Sequence, residues 1–318
     1  MKRKALVLLS GGLDSILAAK LLKESDISVT GLIFKSCFFN EDKGKQACQQ
    51  LKIPCQIIDF SKKHLEIVKK PKFGWGSAAN PCIDCHLLML KKAREIMEKK
   101  NFSAKGRPAF SWDFVATGEV LGERPLSQNR KALLLISEKS RLKDRLLRPL
   151  CAKLLAKTLP EEKGWVKPEF LLAIKGRGRY EQLKLAEKYK LSFPQPAGGC
   201  ILTEKGFAKK LFDLFEKWPN CQPKDIDLLR IGRHLWSGKA KIILGRDQKE
   251  NKQLEMMALK EDIIIIPKNF SGPTGLIRNL LKENMNEDLI EKTKKLISDF
   301  SSKKEKNLTE LNFNICYT

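Results

Sequence analysis

Two patterns of apolar and polar residues alternate along the first half of the chain: short apolar runs and a helical periodicity. Short apolar runs predict strands at residues 4–9, 29–34, 55–60 and 114–118, and helical spacing predicts helices at 13–23, 44–51, 64–69 and 85–99. Strands that alternate with crossover helices are typical of an α/β fold with a doubly wound parallel sheet. Its ligands bind beyond the carboxyl ends of the strands, where Ser10, Phe34, Asp59 and Gly118 should converge. A loop is predicted at 103–112.

The first predicted strand ends in the run Ser10-Gly11-Gly12-Leu13-Asp14-Ser15, which leads into a helix. The glycines let the backbone approach an anion, and the two serine hydroxyls can donate to it together with the free N–H groups of the helix. The spacing differs from the Walker pattern, which needs Gly-Lys-Ser/Thr. A pyrophosphate site is therefore predicted, with a plain Gly-Gly turn as the alternative.

A Pro- and Gly-rich break at residues 194–199 and a change to short strands rich in Arg and Lys beyond residue 219 predict domains at 1–205 and 206–318. In the second, smaller α+β domain, residues 230–235 and 241–244 predict a hairpin around a Ser-Gly turn. Five of its side chains would form a basic face for RNA, and the Trp236 ring would stack on a base. The five are Arg230, Arg233, Lys239, Lys241 and Arg246. A solvated hairpin with Trp236 packed in a core is the alternative.

Basic residues far outnumber acidic ones, with 61 Lys and Arg against 37 Asp and Glu and a formal net charge of +24. Such an excess favours a polyanionic partner, although a compositional bias toward lysine would also produce it. No apolar run is long enough to cross a membrane, and no cleavage site follows the basic start. We therefore expect a cytoplasmic protein that binds RNA.

Three of the nine cysteines stand in settings that suggest chemistry. Cys82 and Cys85 lie at the expected start of a helix, where the dipole and free N–H groups should lower thiol pKa values. Cys200 follows a Pro- and Gly-rich turn and is the best third ligand. These thiolates with His86 could hold structural zinc, although Cys85 and His86 are adjacent and point apart on a helix. The other cysteines are expected to be small buried residues.

Four stretches together resemble the PP-loop ATP pyrophosphatases, or adenine nucleotide alpha hydrolases, which cut ATP between its α and β phosphates. The stretches are residues 10–15, Asn-Pro-Cys-Ile-Asp-Cys at 80–85, Thr-Gly-Glu-Val-Leu-Gly at 117–122 with Ser127-Gln128, and Arg-Pro-Leu at 148–150 with Gly-Gly-Cys-Ile-Leu-Thr at 198–203. The third stretch most resembles ThiI-like 4-thiouridine synthetases of the iron–sulfur-dependent type, since tRNA 2-thiouridylases tend to show a histidine after the Thr-Gly pair. Residues 229–278 resemble the RNA-binding domain of NFACT proteins through Gly-Arg-Asp, Glu-Asn and Gly-Pro.

The resemblance implies a tRNA sulfurtransferase that uses ATP and Mg²⁺ to adenylate a uridine carbonyl and then replaces its oxygen with sulfur, giving 4-thiouridine at position 8 of tRNA. Cys82, Cys85 and Cys200 would hold a [4Fe-4S] cluster and take part in catalysis together with Asp14, which would position Mg²⁺. The implied nucleotide-binding residues are Ser10, Gly11, Gly12, Asp14, Ser15, Phe34 and Gly118. Asp59, Asp84 and Glu119 are weaker candidates for base or metal roles.

Several alternatives remain open from the sequence. No amino-terminal RNA-binding domain or rhodanese domain is evident, so sulfide or a cysteine-desulfurase-derived donor is expected to act through the cluster. A 2-thiouridylase with a Cys85/Cys200 persulfide pair is a second reading, and a non-catalytic, zinc-stabilised RNA-binding protein is a third. A PP-loop enzyme that acts on something other than tRNA and a homodimeric assembly also stay open.

Overall fold

A computed structural model describes residues 2–102, 108–110, 112–194, 200–279, 287–301 and 311–318. These residues form two compact units, Met1–Thr203 and Glu204–Thr318. Each unit has its own principal sheet and its own apolar core.

The amino-terminal unit alternates strands and helices. Its strands are β1 (Lys4–Leu8), β2 (Ser28–Lys35), β3 (Cys55–Asp59), β4 (Lys100–Phe102), β5 (Pro108–Phe110), β6 (Phe114–Ala116) and β7 (Leu146–Leu147). Its helices are α1 (Leu13–Glu24), α2 (Asp42–Leu51), α3 (Ser61–Lys69), α4 (Cys82–Met97), α5 (Arg130–Lys139), α6 (Leu159–Glu162) and α7 (Tyr180–Lys188). The predicted strands and helices are all present, with ends shifted by a few residues. The predicted α/β class is confirmed.

Five of these strands form a parallel sheet in the order β3-β2-β1-β6-β7. The chain begins at the central strand, moves outward to β3, and returns to the other side of β1 at β6. In doubly wound folds such a change of direction opens a crevice at the carboxyl ends of the strands. The loops that follow β1 and β6 therefore face each other.

Helices cover both faces of this sheet, so its central strand is apolar after Lys4. Ala5, Leu6 and Val7 of β1 are completely buried, and they belong to apolar clusters on opposite faces. No helix within the described ranges is long and apolar enough to cross a membrane. The prediction of a loop at 103–112 is partly wrong, because β5 lies inside this range and pairs antiparallel with β4. Residues 103–107 and 111 lie outside the described residues.

The carboxy-terminal unit is built on an antiparallel sheet. Its strands are β8 (Arg233–Ser237), β9 (Ala240–Leu244), β10 (Ile263–Pro267), β11 (Gly275–Asn279) and β12 (Phe313–Tyr317), in the order β12-β10-β11-β9-β8. Its helices are α8 (Lys205–Lys217), α9 (Pro223–Leu228), α10 (Gln248–Met257) and α11 (Glu287–Asp299). One face of the sheet packs on Ile297 of α11 and the other on Leu254 of α10. The predicted hairpin is confirmed as β8 and β9, but Arg230 precedes the first strand.

Candidate active site and RNA-binding surface

The phosphate loop, residues 10–15, joins β1 to α1. Gly11 has a φ of +78°, and a Cβ on it would lie 2.4 Å from the Lys43 carbonyl, so only glycine fits. The Ser15 hydroxyl donates to the Gly12 carbonyl at 2.8 Å, and the Gly12 N–H donates to Ser10 Oγ at 3.3 Å. The two serine hydroxyls therefore shape the loop, and the exposed Ser10 side chain remains accessible to a ligand.

Gly118, in the loop after β6, packs directly against the start of α1. A Cβ on Gly118 would lie 2.5 Å from the backbone of Asp14 and Ser15. The sequence suggested that this glycine makes room for a nucleotide. The structure gives a different reason, because the glycine allows the two facing loops to touch.

Asp14 is the one charged residue of the phosphate loop, residues 10–15. Its Oδ1 atom is buried and accepts no hydrogen bond. Burial raises the pKa of this carboxyl above its ordinary value, and the nearby Arg179 and Arg124 guanidinium groups oppose the rise. A buried carboxylate oxygen without a protein partner fits a hard cation such as Mg²⁺. Arg124 was missed by the sequence reasoning, since it belongs to none of the motif positions.

Both thiols of the Cys-x-x-Cys motif lie in the first turn of α4. The sequence predicted lowered thiol pKa values there, and this prediction is wrong. Burial raises the pKa of Cys82, although Arg124 and Ser127 oppose the rise. Burial also raises the pKa of Cys85 well above its ordinary value, and the neighbouring Cys200 and Cys82 raise it further. Desolvation therefore outweighs the helix dipole, and Cys85 lies close enough to Cys200 for their charges to interact.

The proposed metal ligand sets do not fit the described geometry. Among the described residues, no group of three or more His, Cys, Asp or Glu side chains is arranged to hold a metal ion. His86 Nδ1 is hydrogen-bonded to Glu119 at 2.8 Å, which orients the imidazole. Asp84 is buried and accepts the N–H groups of Lys72 and Phe73, which assigns it a structural role.

Glu119 is the centre of a buried polar network behind the facing loops. Its carboxylate accepts hydrogen bonds from Thr117 Oγ1 at 2.9 Å and Arg148 Nε at 2.8 Å, in addition to its contact with His86. Burial alone would raise the pKa of Glu119, but Arg148 and His86 hold it well below its ordinary value. This network fixes the start of α4 to the ends of β6 and β7.

Two other predicted residues lie at the carboxyl edge without facing the crevice. The Phe34 side chain is only 7% exposed and packs against the Phe60 ring at 5.2 Å. Its predicted contact with a nucleotide is thus limited to its backbone. Asp59 accepts the N–H and hydroxyl of Ser61 at the start of α3, which is a local capping contact.

The motif that resembled NFACT proteins forms a structural junction between β9 and α10. Asp247 caps α10 by accepting the Glu250 N–H at 2.8 Å, and Glu250 binds the Arg246 guanidinium. Asn251 Oδ1 accepts the Thr274 N–H at 3.0 Å, and a Cβ on Gly245 would collide with that oxygen. The motif is therefore explained by folding, and Arg246 is held by Glu250.

The remaining predicted RNA contacts differ in exposure. Arg230, Arg233 and Lys239 are exposed, and Lys239 lies in the hairpin turn. Trp236 is half-buried, with the Lys241 and Lys217 ammonium groups 5.1 Å and 5.5 Å from its ring. The prediction that Lys241 lies on the exposed basic face is wrong. Its residue is 3% exposed, because both faces of the sheet are covered, and burial lowers its pKa to about 8.

Comparison with known families supports the division into two units. Residues 3–159 match the sequence model of the tRNA methyl transferase HUP domain. Residues 232–316 match the sequence model of the NFACT protein RNA binding domain. The predicted fold classes of both regions are confirmed, as is the resemblance of the second to NFACT proteins.

Curated relatives share the name tRNA-specific 2-thiouridylase MnmA. The protein from Karelsulcia muelleri is 32% identical over 141 residues, which cover 41% of this chain and 35% of the relative. The protein from Caldicellulosiruptor saccharolyticus is 28% identical over 235 residues, which cover 66% of this chain and 58% of the relative. The chain thus spans between a third and three fifths of their length. A solved 4-thiouridine synthetase–RNA complex with bound ATP has a TM-score of 0.38 and 18% identity, covering 71% of this chain and 53% of that one.

Proposed function

We propose that this protein is an ATP-dependent tRNA sulfurtransferase that adenylates a uridine carbonyl and replaces its oxygen with sulfur. The observation that carries the proposal is a continuous set of contacts between the phosphate loop and the thiols. Gly118 abuts the backbone of Asp14, and the next residue, Glu119, binds His86, which follows Cys85. An activating site and a sulfur-bearing site would then serve the same bound uridine.

The activation step uses the phosphate loop. The uridine carbonyl oxygen attacks the α phosphorus of ATP, pyrophosphate leaves, and the base loses its N3 proton. The N–H groups at the start of α1 and the Ser10 hydroxyl would donate to the phosphates. Bound Mg²⁺ would neutralise charge on the departing pyrophosphate, and Asp14, with its unpaired buried oxygen, is the residue suited to hold it.

For the sulfur step, Cys85 and Cys200 as a persulfide pair account for more of the observations than a cluster. One thiol would carry the persulfide, whose terminal sulfur attacks the activated carbon and expels AMP. The partner thiolate then attacks the protein-bound sulfur, which releases the thiocarbonyl and leaves a disulfide for a thiol reductant to open. The relatives named 2-thiouridylase support this chemistry and the C2 carbonyl as its target. The [4Fe-4S] route to 4-thiouridine lacks a fitting ligand set among the described residues.

The carboxy-terminal unit would hold the tRNA. Its family match and the exposed cations Arg230, Arg233 and Lys239 support a phosphate-contacting surface. A cysteine-desulfurase-derived persulfide would transfer its outer sulfur to the free thiol. Sulfide would load the pair by attacking the Cys85–Cys200 disulfide left by a previous turnover, which gives one persulfide and one thiol. The reaction would take place in the cytoplasm.

The test is thiolation of unmodified tRNA by the purified protein with Mg-ATP and each sulfur donor, followed by mass spectrometry of the nucleosides. We expect 2-thiouridine, with loss of product in Cys85→Ser and Cys200→Ser and normal product in Cys55→Ser, an exposed cysteine outside the site. 4-Thiouridine formed only by protein reconstituted with iron and sulfide would favour the cluster. tRNA binding without any thionucleoside would contradict the proposal and favour a non-catalytic RNA-binding protein.

A further inference from the structure

The start of α7 contains polar groups that neither the motifs nor the family match explains, since the HUP match ends at residue 159. α7 packs on α1, and Ala186 shares an apolar cluster with Leu13 and Leu17. This packing holds the first turn of α7 next to the first turn of α1, which carries Asp14.

Gln182 is the most unusual of these groups. The residue is 0% exposed, yet neither its amide oxygen nor its amide nitrogen makes a hydrogen bond of ordinary geometry. The amide makes only a poorly formed hydrogen-bond contact with the Asp14 carboxylate, whose Oδ1 is also buried without a well-formed bond. A buried amide with so little of its hydrogen-bonding capacity met is costly to keep, and such groups in native proteins call for an explanation such as a ligand.

Arg179, three residues earlier, is a half-buried cation in the same place. Its buried Nε makes no hydrogen bond, and no ion pair within 4.0 Å joins it to Asp14 or Glu123. Its charge nevertheless lowers the pKa of both carboxyl groups. The guanidinium is therefore near the phosphate loop without being paired to its carboxylate. Its fork of donors suits phosphate oxygens.

We propose that Arg179 and Gln182 form a second wall of the nucleotide site and bind the pyrophosphate part of ATP opposite the phosphate loop. Arg179 donates to the β and γ phosphate oxygens, and the Gln182 amide N–H₂ donates to a phosphate oxygen. This inference rests on the proposed use of ATP. It adds residues from a segment that no family match covers.

The test is calorimetric binding of Mg-ATP, Mg-pyrophosphate and AMP to the whole chain. Arg179→Gln should weaken ATP and pyrophosphate about 10-fold or more and leave AMP unchanged, because one charge-assisted contact is lost. Gln182→Leu should weaken the same two ligands while thermal stability without ligand stays equal or rises. Arg177→Gln, an exposed basic residue of the same segment, is the matched control.

Unchanged ATP and pyrophosphate affinity in both variants would overturn the inference, as would an equal loss of AMP binding. If the wild-type protein bound neither ATP nor pyrophosphate, the proposed function itself would fail, which is a separate and distinguishable result.

Discussion

Among the described residues, the two units of the molecule differ in how many buried polar side chains lack a hydrogen-bond partner. Within the described part of the amino-terminal unit, seven residues hold buried side-chain atoms without a hydrogen bond. His64 of α3 and Arg94 of α4 lie apart, and the other five lie on the loop after β6 and on the facing ends of α1 and α7: Asp14, Ser127, Gln128, Arg179 and Gln182. In the carboxy-terminal unit, the buried Arg278 guanidinium instead binds Asp225 at 3.0 Å and also Asp262. His234 alone, of that unit's described side chains, holds buried and unpartnered atoms.

This difference separates scaffold from site. Buried polar groups that satisfy one another fix the fold and leave nothing for a ligand, as the Arg278–Asp262 pair does in the carboxy-terminal unit. Groups that remain unsatisfied near a crevice are stabilised when a ligand supplies the missing partner. The catalytic proposal therefore belongs to the amino-terminal unit, and the carboxy-terminal unit offers its exposed surface.

The variant with the largest expected effect disrupts the buried ion pairs that Arg278 forms in the carboxy-terminal unit. Arg278→Met should destabilise this unit by about 3–5 kcal/mol, because it leaves Asp225 and Asp262 buried without their cation. Denaturant unfolding followed by Trp236 fluorescence measures it. The triple variant that also replaces both aspartates by leucine should recover much of the loss; an equal loss in both variants would argue against the pairing.

Asp14→Asn tests a buried polar group that lacks a full set of partners, in the amino-terminal unit. Adenylation should fall about 10²–10³-fold, because a group that acts on developing charge is removed. Stability without ligand should stay equal or rise, since the variant removes a buried carboxylate with an unpaired oxygen. tRNA-dependent pyrophosphate release and thermal unfolding give the two readouts. A variant that unfolds and loses activity in parallel would place Asp14 in the scaffold.

Gly118→Ala tests the contact between the two facing loops. Its Cβ would meet the Asp14 backbone at 2.5 Å, so we expect about 1–3 kcal/mol of destabilisation and weaker ATP binding. Gly178→Ala is the matched control, because a Cβ there meets nothing within 4 Å. Equal unfolding midpoints for the two variants would contradict the close approach.

Each unit contains a buried histidine that should lower its free energy of unfolding at acid pH. Burial lowers the pKa of His64 and of His234 to about 3 from the ordinary 6.5, so the unfolded chain takes up the proton first as the pH falls. Stability is therefore complete above pH 6.5 and declines toward pH 3, by about 1 kcal/mol per histidine near pH 5.5. Unfolding of His64→Phe and His234→Phe across this range should show a flatter profile for the unit concerned.

The smallest expected effect distinguishes exposed from buried lysines. Lys239→Gln should weaken tRNA binding a few-fold and reduce the salt slope of the affinity by about 1, as loss of a phosphate contact does. Lys241→Gln should leave that slope unchanged because its ammonium is buried. Filter binding at several salt concentrations tests both, and a lower slope for Lys241→Gln alone would reverse the assignment.

Local patterns predicted what depends on neighbouring residues. The phosphate loop, the helix at the Cys-x-x-Cys motif and the hairpin turn at Gly238 all follow from short-range spacing. All three are present, although the helix begins at Cys82 and not at the predicted residue 85. The burial of Lys241 did not follow, because strand alternation assumes one solvated face and this sheet has apolar clusters on both.

Contacts between distant segments account for the rest. Arg179 and Gln182 reach Asp14 only because α7 packs on α1, more than 150 residues away in sequence, and no spacing rule joins them. The thiol pKa values were predicted in the wrong direction because helix-dipole reasoning omits desolvation, which depends on what covers Cys85. The exposed Arg124 carried no motif signal at all.

The central claim is that a uridine carbonyl oxygen is adenylated and leaves with AMP. The most direct measurement uses tRNA labelled with ¹⁸O at the target carbonyl, incubated with the protein, Mg-ATP and a sulfur donor. Mass spectrometry of the released AMP should find the label in its phosphate, one atom for each thiouridine formed. Thiouridine formation with unlabelled AMP, or AMP release with the label still in the RNA, would contradict the claim.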